Sequence, residues 1–200
     1  MRLLLPSERS VFSPASERNK EPIRQVLAEK LAHVSTLLEL ACGSLQHACH
    51  IAPDHPHLIW QPSDIDPRAL EHGQEIELPD NVRRPLFLDV TGEHWPLPQV
   101  DAIFSANLLH ISEREVLPAL FSGADRLGAV NIFIYGPFSI DGKHTSQGNI
   151  DFDASLRSRN SDWGIHDLGD VKAAATEVGF SGFTSTDMPA NNLFLHFWRA

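Results

Sequence analysis

Three carboxylates stand at the ends of short apolar runs: Glu39 in LLELA, Asp64 in LIWQPSD and Asp89 in PLFLDV. If these runs are parallel strands, their C-terminal ends open on one crevice and the carboxylates share its edge. Gly43 follows Glu39 in a tight turn, within LLELACGSLQHACHIA, and a helix follows the turn. Such a turn aims the free backbone N–H groups of a helix N-terminus at whatever lies above the sheet. Asp64 comes about 20 residues after the turn, where a strand–helix–strand nucleoside site places the carboxylate that accepts both hydroxyls of a cis-diol. Leu45, two positions beyond Gly43, makes the turn neither a GxGxxG nor a GxxxxGK, so the pattern suits a nucleoside ligand without phosphates. Asp66, followed by Pro67, reads instead as the cap of the next helix. The structural alternative for each carboxylate is a loop start or a helix cap, which any one of them alone would fit.

Other residues at the ends of apolar runs carry further chemistry. His110 has the ordinary imidazole pKa near neutrality and suits proton transfer, while Tyr135 and Asn191 suit the orientation of a ligand. Strand-end hydrogen bonding is the alternative for all three. Arg18 and Asn19, with Lys20, precede a helix that Pro22 is expected to open; they form either a flap over the ligand or a solvated cap with Asn19 at the N-cap. Eleven histidines, four of them at His47, His50, His55 and His57 close to Cys49, raise the question of a metal. No HExxH and no paired CxxC accompanies them, so none is expected.

The elements that position these residues alternate. A helix with Ile23, Val26, Leu27, Leu31 and Val34 on one face precedes the first strand. Further strands are expected at Leu58–Pro67, Pro85–Val90, Val100–Ser105 and in VNIFIYGPF. A helix follows from Ser112, with Ser112 and Glu115 as a capping box. Residues 138–166 lack a long apolar period and are rich in Gly, Ser, Asn and Asp, which suits a lid or binding loop pinned by Phe152, Leu156 and Trp163. Asp167 is placed to cap a helix that stops at Gly179. FTSTDMP and NLFLHFWR close the chain, and the short join at Ala190 and Asn191 permits only an antiparallel pair. The architecture expected is α/β: a mostly parallel sheet with one antiparallel strand and helices on both faces.

Composition bounds the rest. A chain of 200 residues with 42% hydrophobic content suits one domain over 1–200, with 1–35 as an N-terminal segment and helix. A formal charge of −10, from 26 acidic and 16 basic residues, disfavours nucleic acid and anionic membranes as partners. The two cysteines, Cys42 and Cys49, read as reduced thiols, and the apolar start MRLLLP stops at Pro6, so a cytoplasmic protein is expected. Oligomeric state is left open.

The acidic strand end, glycine turn, Asp-ended second and third strands and final hairpin resemble class I S-adenosylmethionine-dependent methyltransferases. More closely, FSPASERNKEPI, LELACGSLQHA, WQPSD, LDV, YGPF, FDASLRSRN, WGIHDL and MPANN resemble the methyltransferase-like family called domain of unknown function 938, from Phe12 to Arg199. The resemblance implies a Rossmann-like seven-stranded sheet with the last strand reversed. It also implies S-adenosylmethionine as cofactor, S-adenosylhomocysteine as product, and an unidentified small-molecule acceptor. The cofactor would be held by Glu39, Gly43, Gln46, His47, Asp64, Asp89, Val90 and Asn107. His110, Tyr135 and Asn191 would serve the reaction, and Arg18, Asn19 and Trp163 the acceptor. Asn107 is not followed by two prolines and an aromatic residue, so the pattern of nucleobase amino methylation is absent. The family turn is similar to EIGSGTGQH, with glycine where this chain has Leu45. A side chain there would crowd the donor and resist positive φ, which motivates the alternative of a non-catalytic relative that binds a nucleoside or a protein partner.

Overall fold

The chain alternates strands and helices, as its apolar runs require, and a computed structural model describes residues 12–199. A seven-stranded sheet has the order β3-β2-β1-β4-β5-β10-β9, formed by β1 (Thr36–Leu40), β2 (Ile59–Asp64), β3 (Leu86–Phe87), β4 (Ala102–Ala106), β5 (Asn131–Gly136), β9 (Gly182–Met188) and β10 (Asn192–Trp198). β1 to β3 pair in parallel, as do β4 and β5, whereas β10 runs antiparallel to both β5 and β9. The reversed strand is the one expected from the short join at Ala190 and Asn191. Residues up to Leu88 and from Asp89 onward form two compact units.

In the first unit, α1 (Pro14–Lys30) packs Asn19, Ile23 and Leu27 inward at four-residue spacing. The helix begins eight residues before Pro22, the expected opener. Ser13 caps it by accepting from the Ser16 N–H at 3.1 Å, and Pro14 sits where a missing N–H costs nothing. Pro22 therefore lies inside the helix, and Asn19 is a buried helical residue and not a cap. α2 (Gln46–Ile51) follows the turn after β1, and α3 (Pro67–Glu75) follows β2, capped by Asp66 as expected. β1 is buried almost throughout, the pattern of a strand covered on both faces. β3 is a correction: only Leu86 and Phe87 pair, both with β2. Pro85 has no N–H to offer the ladder, and Phe87 is 58% exposed at the sheet edge.

In the second unit, α4 (Val116–Arg126) buries Val116, Leu117, Leu120 and Phe121, the expected stripe. Its start is later than the expected capping box allows. Ser112 donates to the Leu109 carbonyl instead, and Glu115 occupies the cap without a side-chain bond. The stretch 138–166 is mostly structured: β6 (Phe138–Ile140) and β7 (Lys143–His144) form a hairpin through Asp141 and Gly142, both at positive φ, and α5 (Gln147–Arg159) follows. The Asp-Gly pair suits a two-residue turn of that handedness. β8 (His166–Asp167) pairs with β6, completing a small three-stranded sheet. α6 (Leu168–Glu177) is capped by Asp167, as expected. Among the described residues no helix is long and apolar enough to cross a membrane.

Candidate functional site

The turn after β1 is built from three residues in the left-handed region: Ala41 (φ +56°), Gly43 (φ +52°) and Leu45 (φ +62°). Gly43 is the position where this matters for a ligand, because a Cβ added there would meet nothing within 4 Å and the space in front of the turn is open. Its N–H donates to Asp64 Oδ2 at 2.8 Å, and the Asp66 N–H donates to Asp64 Oδ1 at 2.8 Å. The two backbone bonds fix the carboxylate plane and leave each oxygen with further lone-pair capacity. The Asp66 side chain takes no part in this, since its carboxylate holds the Arg68 N–H and guanidinium.

Leu45 does not crowd the space before the turn. It is fully buried, and a Cβ placed on Gly73 of α3 would lie 3.0 Å from Leu45 Cδ1 and 2.3 Å from Pro85 Cγ. The side chain is therefore part of the core beneath α3. The backbone at this position has the conformation a glycine would supply, held by a leucine at a cost of roughly 1–2 kcal/mol that packing offsets. Ala41, in the same conformation where the family pattern also has glycine, escaped the sequence reading.

Behind the turn lies a polar chain. Glu39, 1% exposed, accepts from the Trp60 indole N–H at 2.8 Å, and His47 Nδ1 stands 3.6 Å from its other oxygen. His47 Nε2 reaches Asn19 Oδ1 at 2.8 Å, so this nitrogen carries the proton. Asn19 thus supports the turn from α1 and does not line an outer surface. Gln46 is a junction as well: its Oε1 accepts from the Ser13 N–H at 2.8 Å and from Ser44 Oγ at 2.5 Å, while its Nε2 donates to Glu17 at 2.8 Å. Arg18 is exposed on the same helix. Asn19 and Trp60 are the members of this network that only the fold brings together with Glu39.

Asp89 Oδ1 accepts from the Thr91 N–H at 2.9 Å and from Thr91 Oγ1 at 2.7 Å, so it closes a loop and ends no strand. Val90 is buried, and its carbonyl accepts from the Trp95 indole. Asn107 has φ +61° and donates its N–H to the carbonyl of the buried Tyr135 at 2.8 Å. Asn191, exposed and at φ +56°, offers its carbonyl to Asn149 Nδ2 at 3.1 Å. Trp163 lies half-buried, with the Arg159 guanidinium 5.5 Å from its ring.

His110 follows β4 and is 7% exposed. Its ring meets Phe152 edge-on at 5.3 Å, and its main-chain carbonyl accepts from the Gly164 N–H at 3.2 Å. Burial, with His166 and the Arg159 charge nearby, pushes its pKa down to about 4, so the imidazole is neutral near pH 7. His166 bonds the Leu109 carbonyl through Nε2 at 3.2 Å, and burial lowers its pKa too. Asp153 braces these loops: it accepts from the Ile165 N–H at 2.6 Å and from Arg157 Nε at 2.8 Å. Burial raises its pKa, but those bonds outweigh burial and hold the carboxyl below its usual range. Asp153, Arg157 and Gly164 lie in the FDASLRSRN and WGIHDL stretches, where motif resemblance without periodicity was the only sequence signal.

A family described as "Protein of unknown function (DUF938)" matches residues 10–199, and the chain belongs to this family. Among solved structures it is similar to human N-acetylserotonin methyltransferase in complex with SAM, at a TM-score of 0.78 and 14% identity, covering 93% of this chain and 53% of that one. It is also similar to an O-methyltransferase family protein from Burkholderia thailandensis, at a TM-score of 0.77 and 18% identity, covering 93% of this chain and 57% of that one. PigF with SAH gives a TM-score of 0.71 at 13% identity, with 93% and 64% covered. The chain thus spans a little over half the length of the first two. These likenesses establish a methyltransferase fold.

Proposed function

We propose that this chain is an S-adenosylmethionine-dependent methyltransferase acting on a small-molecule acceptor. The observation that carries the reading is the pairing of Gly43 with Asp64: a carboxylate fixed by two backbone N–H groups, beside a turn with open space before it. These residues fit the nucleoside half of the donor, because Asp64 retains lone pairs for a cis-diol and Gly43 permits close approach of the backbone. Glu39 and His47 support the turn from behind, and Gln46 ties it to α1. Asp89, Val90 and Asn107 remain candidates on the second unit, each with its backbone already fixed. When bound, the sulfonium supplies an electrophilic methyl group, and the protein's task is to hold an acceptor in line and exclude water.

On the acceptor side, the side chains of His110 and the exposed Asn191 are available, while the Tyr135 carbonyl accepts from the Asn107 N–H and the Asn191 carbonyl from the Asn149 side chain. The hairpin and α5 within 138–166 act as a lid, with Trp163 as a further acceptor contact; Arg18, in the first unit, stays a candidate on the family resemblance alone. A net charge of −10 favours a small molecule over a nucleic acid. Calorimetry with S-adenosylmethionine and S-adenosylhomocysteine tests the reading. Both bind, and Asp64→Ala weakens binding by about 1.5–3 kcal/mol, as for a hydrogen bond to a charged group. No heat and no thermal shift at saturating ligand would sink it. A second reading, a non-catalytic binding protein, keeps the same turn and lacks only the reaction, since Leu45 packs into the core and leaves the space before the turn open. Incubating a metabolite extract with protein and labelled donor separates the two, because binding without any labelled product selects the second.

A further inference from the structure

We propose that β9 is the interface for a second copy of this chain, the two β9 strands pairing edge to edge, antiparallel, about Ser185. The sheet is open at this strand. β9 ends the strand order and pairs only with β10, and none of its residues makes another backbone hydrogen bond among the described residues. Alternate peptide groups along it therefore face outward unpaired, a template for a further strand. Thr184, Ser185, Thr186 and Asp187 are all exposed; because successive side chains point to opposite faces, neither face is covered there. The devices that blunt such an edge are mostly missing: β9 is seven residues long, contains no proline, and matches β10 one to one without a bulge. By contrast β3, at the other end of the order, has two paired residues following Pro85.

A second copy is favoured over an unrelated partner because the strand is complementary to itself. A two-fold axis perpendicular to the sheet sets each face of β9 beside the same face of the partner strand, so the axis passes through a residue and not between two. Centred on Ser185, the midpoint of Gly182–Met188, it pairs all seven residues, whereas a shift to Thr184 or Thr186 leaves some outside the ladder. Thr184 then stands opposite the partner's Thr186, and Phe183 opposite the partner's Asp187. Lys172 of α6, itself exposed, holds its ammonium 5.0 Å from the centre of the Phe183 ring. Among the described residues Lys172 pairs with no carboxylate and the Asp187 carboxylate accepts no hydrogen bond. Opposed Cβ atoms in such a ladder lie about 5 Å apart, so the partner's Asp187 comes within reach of Lys172, and symmetry makes the contact twice. Thr–Thr and opposite-charge pairs are among the cross-strand contacts that stabilise a sheet.

Sedimentation velocity of the full chain, from dilute solution up to about 0.1 mM, tests this. The protein passes from one chain to two as concentration rises, and hydrogen exchange at the outward-facing β9 amides slows in step. Ser185→Lys sets two like charges opposite each other on the axis and returns the protein to a single chain. Lys172→Glu and Asp187→Lys each weaken the dimer about tenfold, since each reverses two symmetry-related contacts. The two substitutions together restore it. All three positions are exposed, and circular dichroism checks that each variant is folded. A single chain at every concentration, a dimer that survives Ser185→Lys, or a double variant no tighter than the single ones would each overturn the inference. Outward-facing β9 amides already protected in the single chain would overturn it as well, because the edge would then be covered from within.

Discussion

The polar groups of the turn after β1 and those around His110 are handled in opposite ways. In residues 12–88, Asp64, Glu39, His47 and Gln46 each have a partner on a neighbouring element, and the turn is rigid before any ligand arrives. Among the described residues from Asp89 onward, the His110 side chain makes no hydrogen bond, and Ser105 Oγ, His144 Nδ1 and His166 Nδ1 are buried without one, as is His55 Nε2 away from the turn in the first unit. A site for a constant ligand gains from preorganisation, since nothing need reorganise when it binds. The difference fits a turn built ahead of one invariant donor.

The strongest test of the rigid side is Leu45. Leu45→Ala removes a fully buried side chain and costs about 2–5 kcal/mol, while the strained backbone stays. Leu45→Gly loses the same packing but recovers roughly 1–2 kcal/mol, because glycine occupies the left-handed region freely. Urea denaturation therefore ranks glycine above alanine, the reverse of the order in a helix interior. Donor affinity is unchanged in both variants. A tenfold gain in affinity for Leu45→Gly would restore the idea that leucine obstructs the donor.

His110 gives the matching test on the other side. Its pKa is about 4 in the folded chain, against an ordinary value of 6.5. Between those values the unfolded chain binds the extra proton, so stability rises with pH across that window and is lost as pH falls through it. The full effect is on the order of 3 kcal/mol. His166 and Asp153 add losses on acidification, but these persist in His110→Phe and cancel in the comparison. Denaturation of both proteins from pH 7 down to about pH 4 shows a shallower decline in the variant. Parallel curves would mean that His110 is not held neutral by its surroundings.

What the sequence revealed follows from the same contrast. β1 and β5 were legible because nearly every residue in them is buried and therefore apolar. The caps at Asp66 and Asp167 were legible because a cap is a local bond. PLFLDV looked equally apolar, yet an edge strand with one partner needs only two paired residues, and Asp89 turns to its own loop. α5 was missed because its buried residues are Asn149, Asp153 and Leu156, which give no apolar stripe. That helix is fixed by the hydrogen bonds of Asp153, which a hydrophobic pattern does not record. The resemblance to the family turn located Glu39 and Gly43, but not the fate of Leu45: whether a side chain faces a ligand or the core depends on where α3 lies. That the His110 ring finds no hydrogen-bond partner among the described residues is likewise a property of packing.

The smallest effect separates two neighbouring carboxylates. Asp66 accepts from the Arg68 N–H at 2.9 Å at the start of α3 and pairs with the same exposed arginine. Asp66→Ala removes a cap and costs about 1 kcal/mol, with little added by the ion pair, since both partners are solvated. The Asp66 backbone N–H still reaches Asp64 Oδ1, because that bond does not use the side chain that is removed. Donor affinity is therefore unchanged in Asp66→Ala, whereas Asp64→Ala loses it. Urea midpoints and calorimetry on the two variants read the two effects independently. If Asp66→Ala weakened donor binding as much as Asp64→Ala, Gly43 would be bonded to the wrong carboxylate for a ribose site, and the role assigned to Asp64 would fall.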